Sequence, residues 1–484
     1  MAELTVRTRY APSPTGFMHV GNLRTALYEY LVAKSQGGKF ILRIEDTDRE
    51  RLVEGAVDFI YNTLKLAGLQ HDEGPDIGGD FGPYVQSERK DMYLPYAEQL
   101  IRDGKAYRCF CSKERLEKIQ KETVGGGYDR HCRELPQEEI DRLLAEGVPY
   151  VIRQKMPIEG STTFTDAVFG EITVENSELQ DQILIKTDGY PTYNFANVID
   201  DHTMGITHVV RGSEYLSSTP KYNLLYEAFG WEIPTYIHLP LIMGKDADGN
   251  ISKLSKRHGA TGFYDLIDDG YLPQAIINYI ALLGWCPKDN REIFTLAELE
   301  QAFDVSGISK SPAVFDYDKL TWFNGEYIKA MTDEQFAAIC TPYFKEALGD
   351  TQIDYLKLAA ILKQRTTKLT DIPEKIDFFA ALPEYDKELF VNKKSKTNLE
   401  NAPVMLRAVY DELSALQSWD HDSIHDALIG LAQKLEVKNG TVMWPARIAV
   451  AGKTITPGGA IEILDILGKD ESLRRMELGL EKLR

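Results

Sequence analysis

Residues 4–44 constrain the fold more than any other stretch, because they read strand, turn, helix, strand. Residues 4–10 carry the β-formers Val6 and Tyr10. Pro12 and Pro14 then stop any ladder, since neither has an N–H to donate, and Gly16 permits a tight turn. From Gly21 onward Leu23, Ala26, Leu27, Tyr30 and Leu31 recur at helical spacing, with Asn22 as the expected cap. Gly37 and Gly38 end that helix, and residues 40–44 form a continuous apolar strand. This is a βαβ unit, which commits the chain to a parallel sheet with ligands at the strands' C-terminal ends. The turn leaves backbone N–H groups and a positive dipole end facing an anion, with His19 in reach of a phosphate oxygen. A surface turn with an incidental histidine reads the same residues. The glycine spacing matches neither the dinucleotide nor the P-loop motif.

At 484 residues the chain exceeds one core, and two to four domains are expected. It has no apolar run long enough to span a membrane, and its first residues lack the basic and apolar regions of a secretory signal. The cytoplasm is the expected compartment. Five cysteines make no disulfide framework in so long a chain. A formal charge of −19 argues against non-specific nucleic-acid binding but leaves room for a local basic groove.

Glu45 ends the second strand, where ligands bind, while Asp46 and Asp48 suit caps for a helix over 54–67. A helix is expected over 86–103. Cys109, Cys111 and Cys132 cluster in sequence, with His131 beside the third. They fit a zinc site, with His131 or else Glu134 as fourth ligand, or simply three reduced thiols in a small domain. Residues 150–186 are rich in β-formers and read as an α+β insertion between two halves of the sheet. Residues 189–202 hold more polar and aromatic groups than a core strand needs.

Residues 208–212 read as a buried strand with Arg211 near its C-terminal end. A buried guanidinium needs a carboxylate, supplied by the protein or by a ligand. Lys253, Lys256 and Arg257 crowd one loop, as a solvated turn or as a phosphate clamp. From residue 265 onward the pattern is helical, broken at Pro342, Pro373, Pro383, Pro403, Pro445 and Pro457.

The ordered set Arg9-x-Ala11-Pro12-Ser13-Pro14-Thr15-Gly16, His19-Val20-Gly21-Asn22 and Lys253-Leu254-Ser255-Lys256-Arg257 resembles the bacterial-type glutamyl-tRNA synthetases, a class I aminoacyl-tRNA synthetase family. Arg43-Ile44-Glu45-Asp46-Thr47-Asp48, Gly189-Tyr190-Pro191-Thr192-Tyr193, Arg211-Gly212 and Asp316-x-x-Lys319-Leu320 match further landmarks in order. The resemblance covers essentially the whole chain. It implies an α/β, doubly wound (Rossmann-like) catalytic domain with an α+β insertion, followed by an all-helical anticodon-binding region. The expected division is catalytic halves at 1–84 and 193–243, an acceptor-stem-binding insertion at 85–192, a stem-contact domain at 244–328, and anticodon-binding helical domains at 329–376 and 377–484.

The resemblance also implies site residues. Arg9, Ala11, Ser13, Glu45, Tyr193, Asn197 and Arg211 would bind glutamate, Glu45 holding its ammonium group and Arg211 its side-chain carboxylate. His19, Gly21, Asn22, Lys253, Leu254, Ser255, Lys256 and Arg257 would bind ATP, with His19, Lys253 and Lys256 catalytic and Mg²⁺ accompanying the nucleotide. Asn22 stands where many class I enzymes have a second histidine, and Leu254 and Arg257 where others have Met and Ser. The implied partners are L-glutamate and glutamate tRNA, and a monomer is expected. A non-discriminating enzyme that also charges glutamine tRNA is the alternative, with Gln364 and Arg365 in the region that would decide. A non-catalytic nucleotide- or RNA-binding homologue is the remote one.

Overall fold

The structure, a computed structural model, describes residues 5–484 except 17, 49–50, 123–127, 247, 256–257 and 260. The chain forms two compact units, Met1–Asp265 with Ile276–Asp316, and Leu266–Ala275 with Tyr317–Arg484.

In the first unit β1 (Arg7–Tyr10) and β2 (Lys39–Leu42) pair in parallel, and α1 (Val20–Lys34) crosses between them. Leu23, Ala26, Leu27 and Leu31 are fully buried on α1, as their spacing predicts. Tyr28 and Val32 are buried too, so the helix has almost no solvent face. β2 is shorter than the apolar run 40–44 because the chain changes partners: Ile44 donates its N–H to Tyr84, beyond the β1 ladder.

Then follow α2 (Ala56–Ala67), α3 (Lys90–Arg102), β3 (Ala106–Cys109), α4 (Lys113–Glu122), α5 (Gln137–Ala145) and β4 (Val151–Gln154). A hairpin of β5 (Ser161–Asp166) and β6 (Gly170–Glu175) precedes β7 (Ile183–Ile185) and α6 (Tyr193–Thr203). After them come β8 (His208–Gly212), α7 (Thr219–Phe229) and β9 (Thr235–Leu239).

β8 and β9 are parallel, and Thr207 ties the start of β8 to β1 by donating its N–H to the Arg7 carbonyl at 3.0 Å. The strands therefore read β2-β1-β8-β9, and the winding reverses between β1 and β8. That is the switch point at which a doubly wound sheet opens a crevice. β3, β4 and β7 form a separate antiparallel sheet. The β5–β6 hairpin does not join it: β5 pairs with β9, Asp166 opposite Tyr236. Residues 193–203 are a helix, and their surplus polar groups, Asn197, Asp200 and Asp201, are buried on it.

Neither Asp46 nor Asp48 caps α2. Asp46 accepts hydrogen bonds from the Ser87 N–H and hydroxyl at 2.7 and 2.6 Å, while Gly55 precedes α2. Asp46 thus ties the β2 end to the entry of α3. A third small sheet joins β10 (Ile242–Lys245) to β11 (Ile251–Lys253) and β12 (Ala313–Phe315).

The second unit is helical, as the apolar periodicity predicts. Phe336, Cys340 and Phe344 on helix Asp333–Leu348 pack with Ile376, Leu406, Leu428 and Ile463 in its core. Two of the expected proline breaks are absent. Pro342 lies inside Asp333–Leu348 and Pro445 inside Asn439–Ala451. A proline removes one helical hydrogen bond, and burial of residues on both sides, Phe336 and Phe344 or Val442 and Ile448, holds each helix through it. Pro373 and Pro403 instead open helices at their first turn, where the missing N–H costs nothing.

Candidate functional site

A cavity of about 690 Å³ occupies the switch point, lined by Arg9, Ala11, Ser13, Glu45, Tyr193 and Arg211. A second space of about 420 Å³ adjoins it, lined by His19, Gly21, Asn22, Lys253, Leu254 and Ser255. Asn22, Thr25, Gly212 and Glu214 belong to both walls. The structure thus brings together residues from β1, α1, the segment after β2, α6, β8 and β11. Lys256 and Arg257 lie outside the described residues. Asn197 is not on the wall; it is buried below, and its Oδ1 has no hydrogen-bond partner among the described residues.

Arg211 is 6 % exposed. Its Nε donates to His238 Nε2 at 3.1 Å and its Nη2 to the Thr219 hydroxyl at 2.8 Å. Tyr215, Tyr222 and Tyr236 surround the guanidinium, with ring centres at 5.3, 4.7 and 5.0 Å. No carboxylate pairs with it among the described residues, so the internal salt bridge open at the sequence level is absent. The sleeve satisfies two nitrogens and orients the fork, but it leaves the positive charge uncompensated on the wall of a cavity.

The arginines beneath the cavity are arranged differently. Arg9 donates to Asp201 and Glu29 at 2.9 and 3.2 Å, and Arg43 to Asp201 and Glu45 at 2.8 and 3.0 Å. Arg89 donates to Asp200 at 2.7 Å, and Asp200 also accepts from Tyr93 and Gln86. Burial pushes the Glu29 carboxyl well above its ordinary range, against the opposing pull of Arg9. Burial raises Glu45 too, against the opposing pull of Arg43. Asp201 goes the other way: burial would raise it, but Arg9 and Arg43 together hold it below the usual range.

The N-terminus of α1 corrects the expected cap. His19, not Asn22, is the cap: its Nδ1 accepts from the N–H groups of Gly21 at 3.0 Å and Asn22 at 3.4 Å. Val20 donates to the Thr261 carbonyl at 2.8 Å. The first-turn N–H groups are therefore occupied, and only the dipole's field faces the second space. The reason is local. Gly21 has no Cβ, and one built there would meet the His19 ring at 2.8 Å. Accepting through Nδ1 puts the ring proton on Nε2, and both desolvation and Lys253 hold the His19 pKa below its ordinary value.

His258 is a residue that sequence reasoning missed. Buried under the lysine loop, it accepts the Ser255 N–H at 3.0 Å and lies 3.1 Å from the Ser252 hydroxyl. A Cβ at Gly244 would meet its ring at 2.6 Å, so the glycine makes room for it. The only signal was a histidine immediately after the basic run.

The Sγ atoms of Cys109, Cys111 and Cys132 lie within 4.8 Å of one another. Neither His131 nor Glu134 belongs to this group; Glu134 instead pairs with Lys155 at 3.0 Å on the surface. The nearby oxygen is the Tyr128 hydroxyl, 3.1 Å from Cys109 and 3.8 Å from Cys111. Hydrogen bonds from Cys132 and Tyr128 hold the Cys109 thiol well below its ordinary pKa, against desolvation. Three ligands on one tetrahedral zinc sit about 3.8 Å apart, so this donor set fits a zinc ion.

Comparison with known proteins follows the same two-unit division. Residues 5–322 match the family described as tRNA synthetases class I (E and Q), catalytic domain, and residues 335–480 match an anticodon binding domain. The chain is 58 % identical over 483 residues to the glutamate–tRNA ligase of Clostridium botulinum, covering 99 % of each chain. It is 57 % identical to that of Clostridium tetani, covering 99 % of this chain and 98 % of the relative. Among solved structures it is similar to a glutamate tRNA ligase from Elizabethkingia meningosepticum in complex with its amino acid. That match has a TM-score of 0.90 and 36 % identity, and covers 99 % of this chain and 100 % of the other.

Proposed function

The chain belongs to the class I tRNA synthetases of the glutamate and glutamine group, and from that premise we propose how its residues join glutamate to tRNA at the expense of ATP. The enzyme is a ligase. One carboxylate oxygen of glutamate attacks the α-phosphorus of ATP and the bond to the β-phosphate breaks, giving glutamyl-adenylate and pyrophosphate. A hydroxyl of the tRNA's terminal ribose then attacks the acyl carbon, and AMP leaves.

The observation that carries the residue assignment is Arg211: a buried cation on a cavity wall with no carboxylate of its own among the described residues. A ligand carboxylate completes it, and a neutral amide does not, because the charge would stay unpaired. Glutamate therefore lies in the larger space, its side chain on Arg211, its ammonium group toward Glu45, with Arg9, Ala11, Ser13 and Tyr193 around it. Arg9 acts through its pairs with Asp201 and Glu29 as part of the floor. Asn197 supports the wall from below.

ATP takes the adjoining space. His19, neutral and capping α1 through Nδ1, offers its Nε2–H to a phosphate oxygen. The α1 dipole adds a field of the right sign. Lys253 neutralises the departing pyrophosphate, and Lys256 stabilises charge on the α-phosphate in the transition state. Gly21, Asn22, Leu254 and Ser255 shape the remaining wall, and the family motif adds Arg257 as a further ATP contact. Mg²⁺ bound with the nucleotide would share its phosphate charge.

Zinc would be held by Cys109, Cys111 and Cys132, where it would cross-link the β3–β4 region; metal analysis of purified protein, expecting one zinc per chain, checks this. Lys393, Lys394 and Lys396 have no ion pair among the described residues, unlike Lys363 and Lys368, which pair with Asp333 and Asp269. The first cluster suits phosphate contacts of a tRNA. The cytoplasm is the compartment of this reading, and no helix of the described residues is long and apolar enough to cross a membrane.

ATP-dependent attachment of labelled glutamate to purified glutamate tRNA and glutamine tRNA tests the function. Charging of glutamate tRNA is expected, and charging of both would make the enzyme non-discriminating. Folded protein that charges neither would sink the reading.

A further inference from the structure

We propose that His238 is the positioning residue for Arg211, and that a neutral ring there is a condition for binding glutamate. The inference rests on the reading that Arg211 meets the glutamate side chain.

Three neighbouring strands build the arrangement. Arg211 on β8 stands directly opposite His238 on β9 in the parallel ladder. Asp166 ends β5, whose register with β9 sets it opposite Tyr236, two residues before His238. Asp166 and His238 are 1 % and 0 % exposed. Asp166 Oδ1 accepts the N–H groups of Val168 and Phe169 at 2.9 and 2.8 Å. Its Oδ2 accepts the His238 backbone N–H at 3.1 Å and lies 2.6 Å from His238 Nδ1.

This bonding fixes the protons. Two backbone N–H groups on one oxygen, and a third on the other, leave Asp166 as an acceptor. The short contact to Nδ1 therefore needs a proton on that nitrogen. His238 Nε2 then carries the lone pair, and it accepts the Arg211 Nε–H at 3.1 Å. Thr219 closes the other side: its hydroxyl donates to the Tyr215 carbonyl at 2.9 Å and so accepts from Arg211 Nη2. With Nε and Nη2 held, the Nη1 edge of the fork is left for a ligand carboxylate.

A proton on Nε2 would set N–H against N–H and one cation against another. The charged and titratable groups around the ring are Asp166 on β5, Arg211 on β8, Glu214 in the following turn and Tyr236 on β9 itself, with Tyr215 and Tyr222 against the guanidinium. Desolvation and Arg211 lower the histidine pKa, while Asp166 pulls it up without reversing the direction. The neutral ring is thus the resting state, and acid removes it.

A buried Asp–His pair could merely hold β5 to β9. That role would affect stability, not glutamate affinity alone. The test is the charging reaction of the full-length enzyme with glutamate tRNA, read as separate KM values for glutamate and ATP. His238→Phe, which keeps the volume but accepts nothing, is expected to raise the KM for glutamate about tenfold to a hundredfold, the worth of a charge-assisted hydrogen bond. The KM for ATP and the saturated rate stay as in the wild type. His238→Gln returns an acceptor near the Nε2 position and recovers most of the loss. In the wild type the KM for glutamate rises at acid pH, below the ordinary histidine range, and in His238→Gln that acid limb is absent.

Arg211→Met in the same assay separates the two ideas. An unchanged KM for glutamate in Arg211→Met would overturn the underlying reading. A raised KM there, beside a folded His238→Phe with wild-type KM, would overturn the role of His238 alone. Should His238→Phe not fold, the pH comparison decides: matching acid limbs in wild type and His238→Gln refute the proposal.

Discussion

Two groups of buried arginines, both reaching the same cavity, are stabilised by opposite means. Arg9, Arg43 and Arg89 sit in a lattice of carboxylates with Asp200, Asp201, Glu29 and Glu45. Arg211 has tyrosine rings, a hydroxyl and an imidazole. Each lattice arginine has its counter-charge in the chain, so its interactions are complete before any ligand arrives. Arg211 is solvated by dipoles and π faces, which hold a guanidinium in place without cancelling it. The lattice is complete in itself, and the lone cation leaves a charge on the wall for a ligand to meet.

The largest effect expected to sharpen this contrast is Arg211→Met. Glutamate charging should fall by about 10³-fold or more in kcat/KM, because ~4 kcal/mol of paired charge is lost with the ligand bound. The melting temperature should hold or rise, since an uncompensated buried charge has been removed. A folded variant with near-normal kcat/KM would break the comparison. Arg43→Met should do the reverse. It strands Glu45, leaves Asp201 with Arg9 alone, and should cost about 3–5 kcal/mol of stability, read from denaturant unfolding.

Smaller is Glu29→Gln. The Glu29 carboxyl has a folded pKa raised above its unfolded value, so it favours the folded state at low pH and loses that contribution as pH rises through the folded value. The variant, which keeps an acceptor for Arg9, should match or exceed wild-type stability at neutral pH and flatten the decline. Glu73, clamped by Arg7 at 2.7 Å, runs the other way. Hydrogen bonds from Arg7, Tyr84 and Lys39 depress its pKa to about 2. Its contribution is full above its unfolded pKa and is lost as pH falls from there toward 2, so Glu73→Gln should weaken the protein at pH 7 and remove that acid sensitivity. Equal pH profiles for wild type and either variant would refute the pKa ordering.

Much of this was legible in sequence because it is local. The βαβ unit declares itself through prolines, glycine and a helical period within 41 residues. Arg211 was suspicious because an arginine in an apolar strand needs an explanation. What stayed hidden depends on register and on side-chain hydrogen bonds. No spacing shows that His19 turns its ring back onto Gly21 and Asn22, displacing the expected cap. Nor does any pattern show that His238 falls opposite Arg211, which needs the β8–β9 alignment. His131 was the plausible fourth ligand by adjacency, but consecutive residues do not point alike, and Tyr128 reaches the thiols instead. The proline breaks failed where burial on both sides outweighs one missing hydrogen bond.

The β5–β6 hairpin has a consequence for how such enzymes can be cut and rejoined. It lies within the stretch 85–192 that looks interchangeable as a cassette, yet it is stitched by hydrogen bonds onto β9 and ends in Asp166. A chimera made by grafting the whole cassette from a relative would transplant the Asp166 end of the Arg211–His238 scaffolding along with it. A graft that preserves 161–175 would keep the Asp166–His238 contact while exchanging the rest of the stretch. The seam between modules, in this molecule, does not follow the order of the chain.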